Sequence, residues 1–160
     1  MIPAALALFL SLQGTAAPAP VVTPSPPEAV VLEPGRVGEA RLRFTIREGF
    51  HIQANPASEP YLVPAQLDLT PEPRVRVGAP IYPPGRPYRI RGAERDFMTY
   101  QGTFEVRMQL EALGDALPTE LRLAGALRYQ ACNERICLRP TSASFLLPVR
   151  IVANVKGRLR

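Results

Sequence analysis

ARLRFTIR (residues 40–47) places Ala40, Leu42, Phe44 and Ile46 at alternate positions, with Arg41, Arg43 and Arg47 between and beyond them. Side chains alternate across an extended chain with period two, so this stretch is a strand with one dry face and one wet one. TFEVRMQLE (103–111) repeats the pattern, with Phe104, Val106, Met108 and Leu110 on one side and Glu105, Arg107 and Gln109 on the other. ELRLAGALRYQA (120–131) contributes Leu121, Leu123, Leu127 and Tyr129, and SFLLPVRI (144–151) contributes Phe145, Leu147, Val149 and Ile151. Shorter strands are expected at FHIQA (50–54), VPAQLDL (63–69) and RVRVGAPI (74–81). Nineteen prolines oppose long helices, and no stretch has a helical apolar period. Half-buried strands bounded by Pro and Gly indicate an all-β sandwich. The chain has no Trp and no widely spaced cysteine pair, which excludes an antibody-type domain, and no internal repeat is evident.

The N-terminus has a different character. MIPAALALFLSLQGTAAPAP (1–20) holds an apolar run from Ile2 to Leu12. That is well short of the roughly 20 residues that span a bilayer, but it suits the apolar region of a secretory signal peptide. Residues 1–17 are therefore expected to be a signal peptide cleaved near Ala16 or Ala17, although no Lys or Arg precedes the run. Residues 18–28, with five prolines, are expected to be an extended linker. Residues 29–153 are expected to form one domain, and the basic residues 154–160 a solvated tail. Export places the protein in the periplasm or another extracytoplasmic space, where disulfides persist. The net charge of +5 comes from eighteen arginines and one lysine scattered along the chain, so no nucleic-acid partner is expected.

Both cysteines fall in YQACNERICLRP (129–140), with Asn133, Glu134, Arg135 and Ile136 as a turn between Cys132 and Cys137. Residues flanking a four-residue turn can face one another at disulfide distance. As a staple the bond is inefficient, since so small a loop contributes about 2 kcal/mol against about 4.7 for a 100-residue loop. Two cysteines and the single histidine, His51, fall short of a tetrahedral zinc set. A copper set drawn from Met98, Met108, His51 and the thiols loses Met108 to the apolar alternation. No metal and no cofactor are expected. Spacing alone leaves a structural staple and a redox pair equally open.

Three segments bear on that choice: GFHIQANPASEPYLVPAQLDL (49–69), VGAPIYPP (77–84) and LRYQACNERICLRP (127–140). They resemble the N-terminal periplasmic domain of the DsbD-type thiol:disulfide interchange proteins, over residues 30–149. The resemblance implies an immunoglobulin-like β-sandwich whose cysteine pair cycles between disulfide and dithiol. It implies electron transfer from a thioredoxin-like or membrane thiol-disulfide reductase to periplasmic disulfide-containing acceptor proteins. On the family pattern Cys137 forms the mixed disulfides and Cys132 resolves them. A covering loop corresponds to RGAERDFMTYQG (91–102), with Phe97 either the shield or a ring packed at the sandwich edge, and Asp96 beside it. His51 lies in the segment that adjoins the cysteine hairpin, as a proton-transfer group or a structural strand histidine. Tyr129 is a core or flanking aromatic. The chain carries no multi-span segment and no C-x-x-C module, so a stand-alone, monomeric domain with separate donor and acceptor proteins is expected. The competing reading is a non-catalytic immunoglobulin-like binding module whose disulfide only rigidifies a recognition hairpin.

Overall fold

The computed structural model describes residues 19–89 and 94–153. The signal peptide expected at 1–17 and the basic tail at 154–160 lie outside the described residues. Among the described residues there is no helix. Numbered in chain order, the first six strands are β1 (Val22–Pro24), β2 (Val30–Leu32), β3 (Val37–Ile46), β4 (His51–Gln53), β5 (Gln66–Leu69) and β6 (Val75–Val77). The rest are β7 (Arg86–Tyr88), β8 (Phe97–Tyr100), β9 (Thr103–Ala112), β10 (Thr119–Tyr129), β11 (Ala131–Cys132) and β12 (Thr141–Ile151). They form three four-stranded sheets, ordered β1-β3-β9-β6, β2-β12-β10-β5 and β11-β4-β8-β7.

The first two sheets make the immunoglobulin-like sandwich. Each of the four long alternating segments is a long strand, and their apolar faces meet. Leu42, Phe44, Val106 and Leu110 come from one sheet and Leu127, Leu147 and Val149 from the other, none more than 2% exposed. Phe44 meets Phe145 edge-on across the sandwich, with ring centroids 5.9 Å apart. Alternation is interrupted at Gly125, where a methyl group would lie 2.5 Å from the Phe145 ring. The outer arginines are shared out among carboxylates, as in Arg43–Glu105 (3.4 Å) and Arg76–Glu111 (2.7 Å). Such exposed pairs contribute at most about 1 kcal/mol each, but they disperse the positive charge.

Part of the segment expected to be a linker belongs to the fold. Within residues 18–28, Val22–Pro24 pairs antiparallel with β3, and Val21 and Val22 are buried. After Pro26 and Pro27 the chain changes sheets and β2 pairs parallel with β12. Proline lacks the N–H that a ladder needs, so the break falls where pairing on one sheet must stop.

The third sheet grows out of the first. β3 and β9 are paired as far as Thr45↔Thr103, and their continuations β4 and β8 are paired from Ile52↔Tyr100. Between them both chains turn at glycines of positive φ, Gly49 (φ 80) and Gly102 (φ 61). Only glycine adopts that conformation freely, so these two residues redirect one hairpin from the sandwich into the sheet that carries the cysteines.

Candidate functional site

The cysteine hairpin forms one edge of the third sheet. Ala131 and Cys132 pair with Ile52 and His51 of β4, and Cys132 and Cys137 face each other as a bridge closed by a disulfide, with Cα atoms 4.0 Å apart. The turn is held by its own first residue. Asn133 Oδ1 accepts hydrogen bonds from the amides of Arg135 (2.8 Å) and Ile136 (2.9 Å), and the Asn133 amide donates to the Ile136 carbonyl (2.9 Å). Asparagine suits this place because its short side chain mimics a backbone turn. At the base, the Leu138 amide donates to the Ala131 carbonyl (2.8 Å) and Gln130 Nε2 donates to the Leu138 carbonyl (3.0 Å).

The two sulfur-bearing residues differ in access. Cys132 is 4% exposed and counts with the core, whereas Cys137 is exposed, next to Ile136 at 56%. Glu134, Arg135 and Arg139 are all exposed around Cys137.

His51 is the cross-strand partner of Cys132. Directly opposed antiparallel residues project to the same face with Cβ atoms about 5 Å apart, so the two side chains share one face of the sheet. β4 is buried on both faces: Ile52 on one, His51 (2%) and Gln53 (3%) on the other. The His51 ring lies 4.1 Å from the ring of Tyr88, and burial holds its pKa below the ordinary 6.5. His51 Nε2 and Gln53 Oε1 are buried without a hydrogen-bond partner among the described residues.

The remaining expected site residues are placed differently. Phe97 opens β8, partly buried, opposite Tyr88 of β7, with β4 lying between β8 and the cysteine hairpin. Asp96 is exposed and ion-paired with Arg89, whose guanidinium holds the carboxyl below its usual range. The start of the expected covering loop, residues 91–93, lies outside the described residues. Tyr129 is a core residue whose hydroxyl accepts the Val22 amide (3.3 Å), tying β10 to β1. Tyr88 went unrecognised in the sequence. The only signal for Tyr88 was its place in GRPYR, a short alternating run just before the covering segment. Of the residues considered for copper, Met108 is buried and Met98 is 38% exposed. No group of three His, Cys, Asp or Glu side chains comes together among the described residues.

Comparison with known proteins bears on this arrangement. The chain is similar to the crystal structure of the N-terminal periplasmic domain of ScsB from Proteus mirabilis, with a TM-score of 0.48 and 14% identity. The likeness covers 74% of this chain and 43% of that one. A search of curated proteins returns no match. The family model described as "Thiol:disulfide interchange protein DsbD, N-terminal" matches residues 20–148, from the first strand through the cysteine hairpin and most of the last strand. With that match over most of its length, the chain belongs to the family of DsbD N-terminal domains.

Proposed function

We propose that the domain relays electron pairs between proteins outside the cytoplasm, through Cys132 and Cys137. The observation that carries this reading is the unequal access of the two residues, Cys137 exposed and Cys132 4% exposed. In the reducing half-cycle a donor thiolate attacks Cys137 Sγ. The S–S bond breaks, and Cys132 leaves with the electron pair and takes up a proton. The donor's second thiolate then displaces Cys137, leaving a dithiol here and a disulfide on the donor. In the second half-cycle the Cys137 thiolate attacks an acceptor disulfide, and Cys132 attacks Cys137 Sγ to release the acceptor as a dithiol. The donor is a thioredoxin-like or membrane reductase, the acceptors are periplasmic disulfide proteins, and the domain works as a monomer. Phe97 and Tyr88 close off the cysteine end between encounters. The periplasmic setting agrees with the apolar, Pro-flanked N-terminus.

Single-cysteine variants test the roles. Cys132→Ser is expected to trap a mixed disulfide with a thioredoxin-like partner through Cys137, and Cys137→Ser to trap little. Equal trapping, or trapping through Cys132 alone, overturns the assignment. Equilibration with glutathione buffers tests the relay itself. A working carrier falls at roughly −120 to −270 mV, and a potential below about −300 mV marks a structural bond and a binding module.

A further inference from the structure

Opening the disulfide leaves a thiolate on the buried residue of the pair. A charged sulfur on a residue only 4% exposed is costly unless a proton or a hydrogen bond reaches it as the bond breaks. No helix N-terminus is present among the described residues to supply a dipole. The side chain placed for the task is His51, registered directly against Cys132. Its ring packs against that of Tyr88, tilted by 35° with centroids 4.1 Å apart, and its Nε2 has no hydrogen-bond partner among the described residues. Two residues along the same face, Gln53 Oε1 is a buried acceptor without a donor. A buried strand histidine with only a packing role is ordinarily satisfied by a neighbour, and a buried amide oxygen likewise. Here both are left open, two residues apart on one face of β4.

We propose that His51 is the proton relay of Cys132: the imidazolium protonates the Cys132 thiolate as the disulfide opens, and the neutral imidazole takes the proton back as it closes. In opening, the attacking thiolate forms a bond to Cys137 Sγ and the Cys132–Cys137 bond breaks. Its electron pair stays on Cys132 Sγ, which takes the proton from His51, and solvent reprotonates the ring. In closing, Cys132 Sγ–H gives its proton to His51, the thiolate attacks Cys137 Sγ, and the partner leaves as a thiolate. Tyr88 packs against the ring throughout.

The other groups near the ring leave this assignment clear. From β11 the facing titratable residue is Cys132 itself, and from β7 they are Tyr88 and the exposed Arg86. β8 presents Phe97 and Thr99, which do not titrate, and the hairpin tip carries Glu134 and Arg135 in solvent. Burial, not a charged neighbour, is what lowers the His51 pKa. The sign follows: the imidazolium becomes available only as pH falls below 6.5, so relay-assisted opening strengthens toward acid.

The test is the pH dependence of reduction by dithiothreitol, divided at each pH by the thiolate concentration of the reagent. The probe is a small thiol, so the result stands whether or not the relay between proteins is correct. In the wild type the corrected rate constant is expected to rise on the order of tenfold between pH 7.5 and 5, below the roughly 10²–10⁴-fold of a fully populated general acid. In His51→Gln the profile is expected to be flat. A purely structural histidine shifts the whole curve or the melting point and leaves its slope unchanged. A flat wild-type profile overturns the assignment without recourse to any variant, and so does an equal rise in wild type and His51→Gln. If His51→Gln does not fold, the His51 titration followed by NMR in the oxidised and reduced wild type decides. A pKa that differs between the two states supports the relay, and an identical one overturns it.

Discussion

Tyr88 and Phe97 stand opposite each other on neighbouring strands, and the Tyr88 ring reaches His51, the residue beside Cys132. Cover at the cysteine end is thus expected to depend on both rings, with Phe97 supporting Tyr88. Phe97→Ala should speed attack by dithiothreitol severalfold, and Tyr88→Ala more, by opening access to sulfur. Reaction with a cognate partner should change less, because docking displaces the cover in either case. Rates are to be compared where all proteins are fully folded. An unchanged small-thiol rate in Phe97→Ala removes that residue from the site, and loss of stability alone marks it as edge packing. At this scale the sequence was readable in part. The cysteines announced themselves by spacing, and His51 by being the chain's only histidine. Tyr88 did not, because its partner is 37 positions away and only the sheet brings the two rings together.

Among the elements, β3, β9, β10 and β12 could be read directly because each has one wet face and one dry face, so alternation survives in the sequence. β4 could be located but not interpreted. Its three residues are buried on both sides, and a strand of that kind loses its period-two signal. β1 was hidden by the prolines around it, whose effect is to end pairing on one sheet and not to detach the segment. The connection between the sandwich and the cysteine sheet depends on two glycines that composition alone does not single out. Gly102→Ala forces a side chain into positive φ and should cost about 1–2 kcal/mol, measured by denaturant melts. No Cβ clash accompanies the change, since nothing lies within 4 Å of the added methyl, so the loss is conformational. Because Gly102 redirects β8 into β9, the same variant is expected to alter the reactivity of the disulfide, with little change in the sandwich core. A melt indistinguishable from wild type refutes the role given to this turn.

For the molecule as a whole, the disulfide closes a loop too short to matter much to global stability. Reduction should cost about 2 kcal/mol, leaving the dithiol form folded, as a carrier requires. Melts of the oxidised and reduced protein check this, and a reduced form unfolded at room temperature would make the pair a staple. The sandwich supplies the reserve: β10 and β12 are registered over eleven residue pairs, from Thr119↔Ile151 to Tyr129↔Thr141. β11, by contrast, is joined to β4 by two pairs, Ala131↔Ile52 and Cys132↔His51. Backbone opening is consequently tiered, with the hairpin fraying far below the level at which the sheets part. Each 1.4 kcal/mol between those tiers multiplies by about ten the number of hairpin excursions per global unfolding event. The cysteine end can therefore breathe, exchange its amide protons with solvent and admit a partner many times over while the folded scaffold persists.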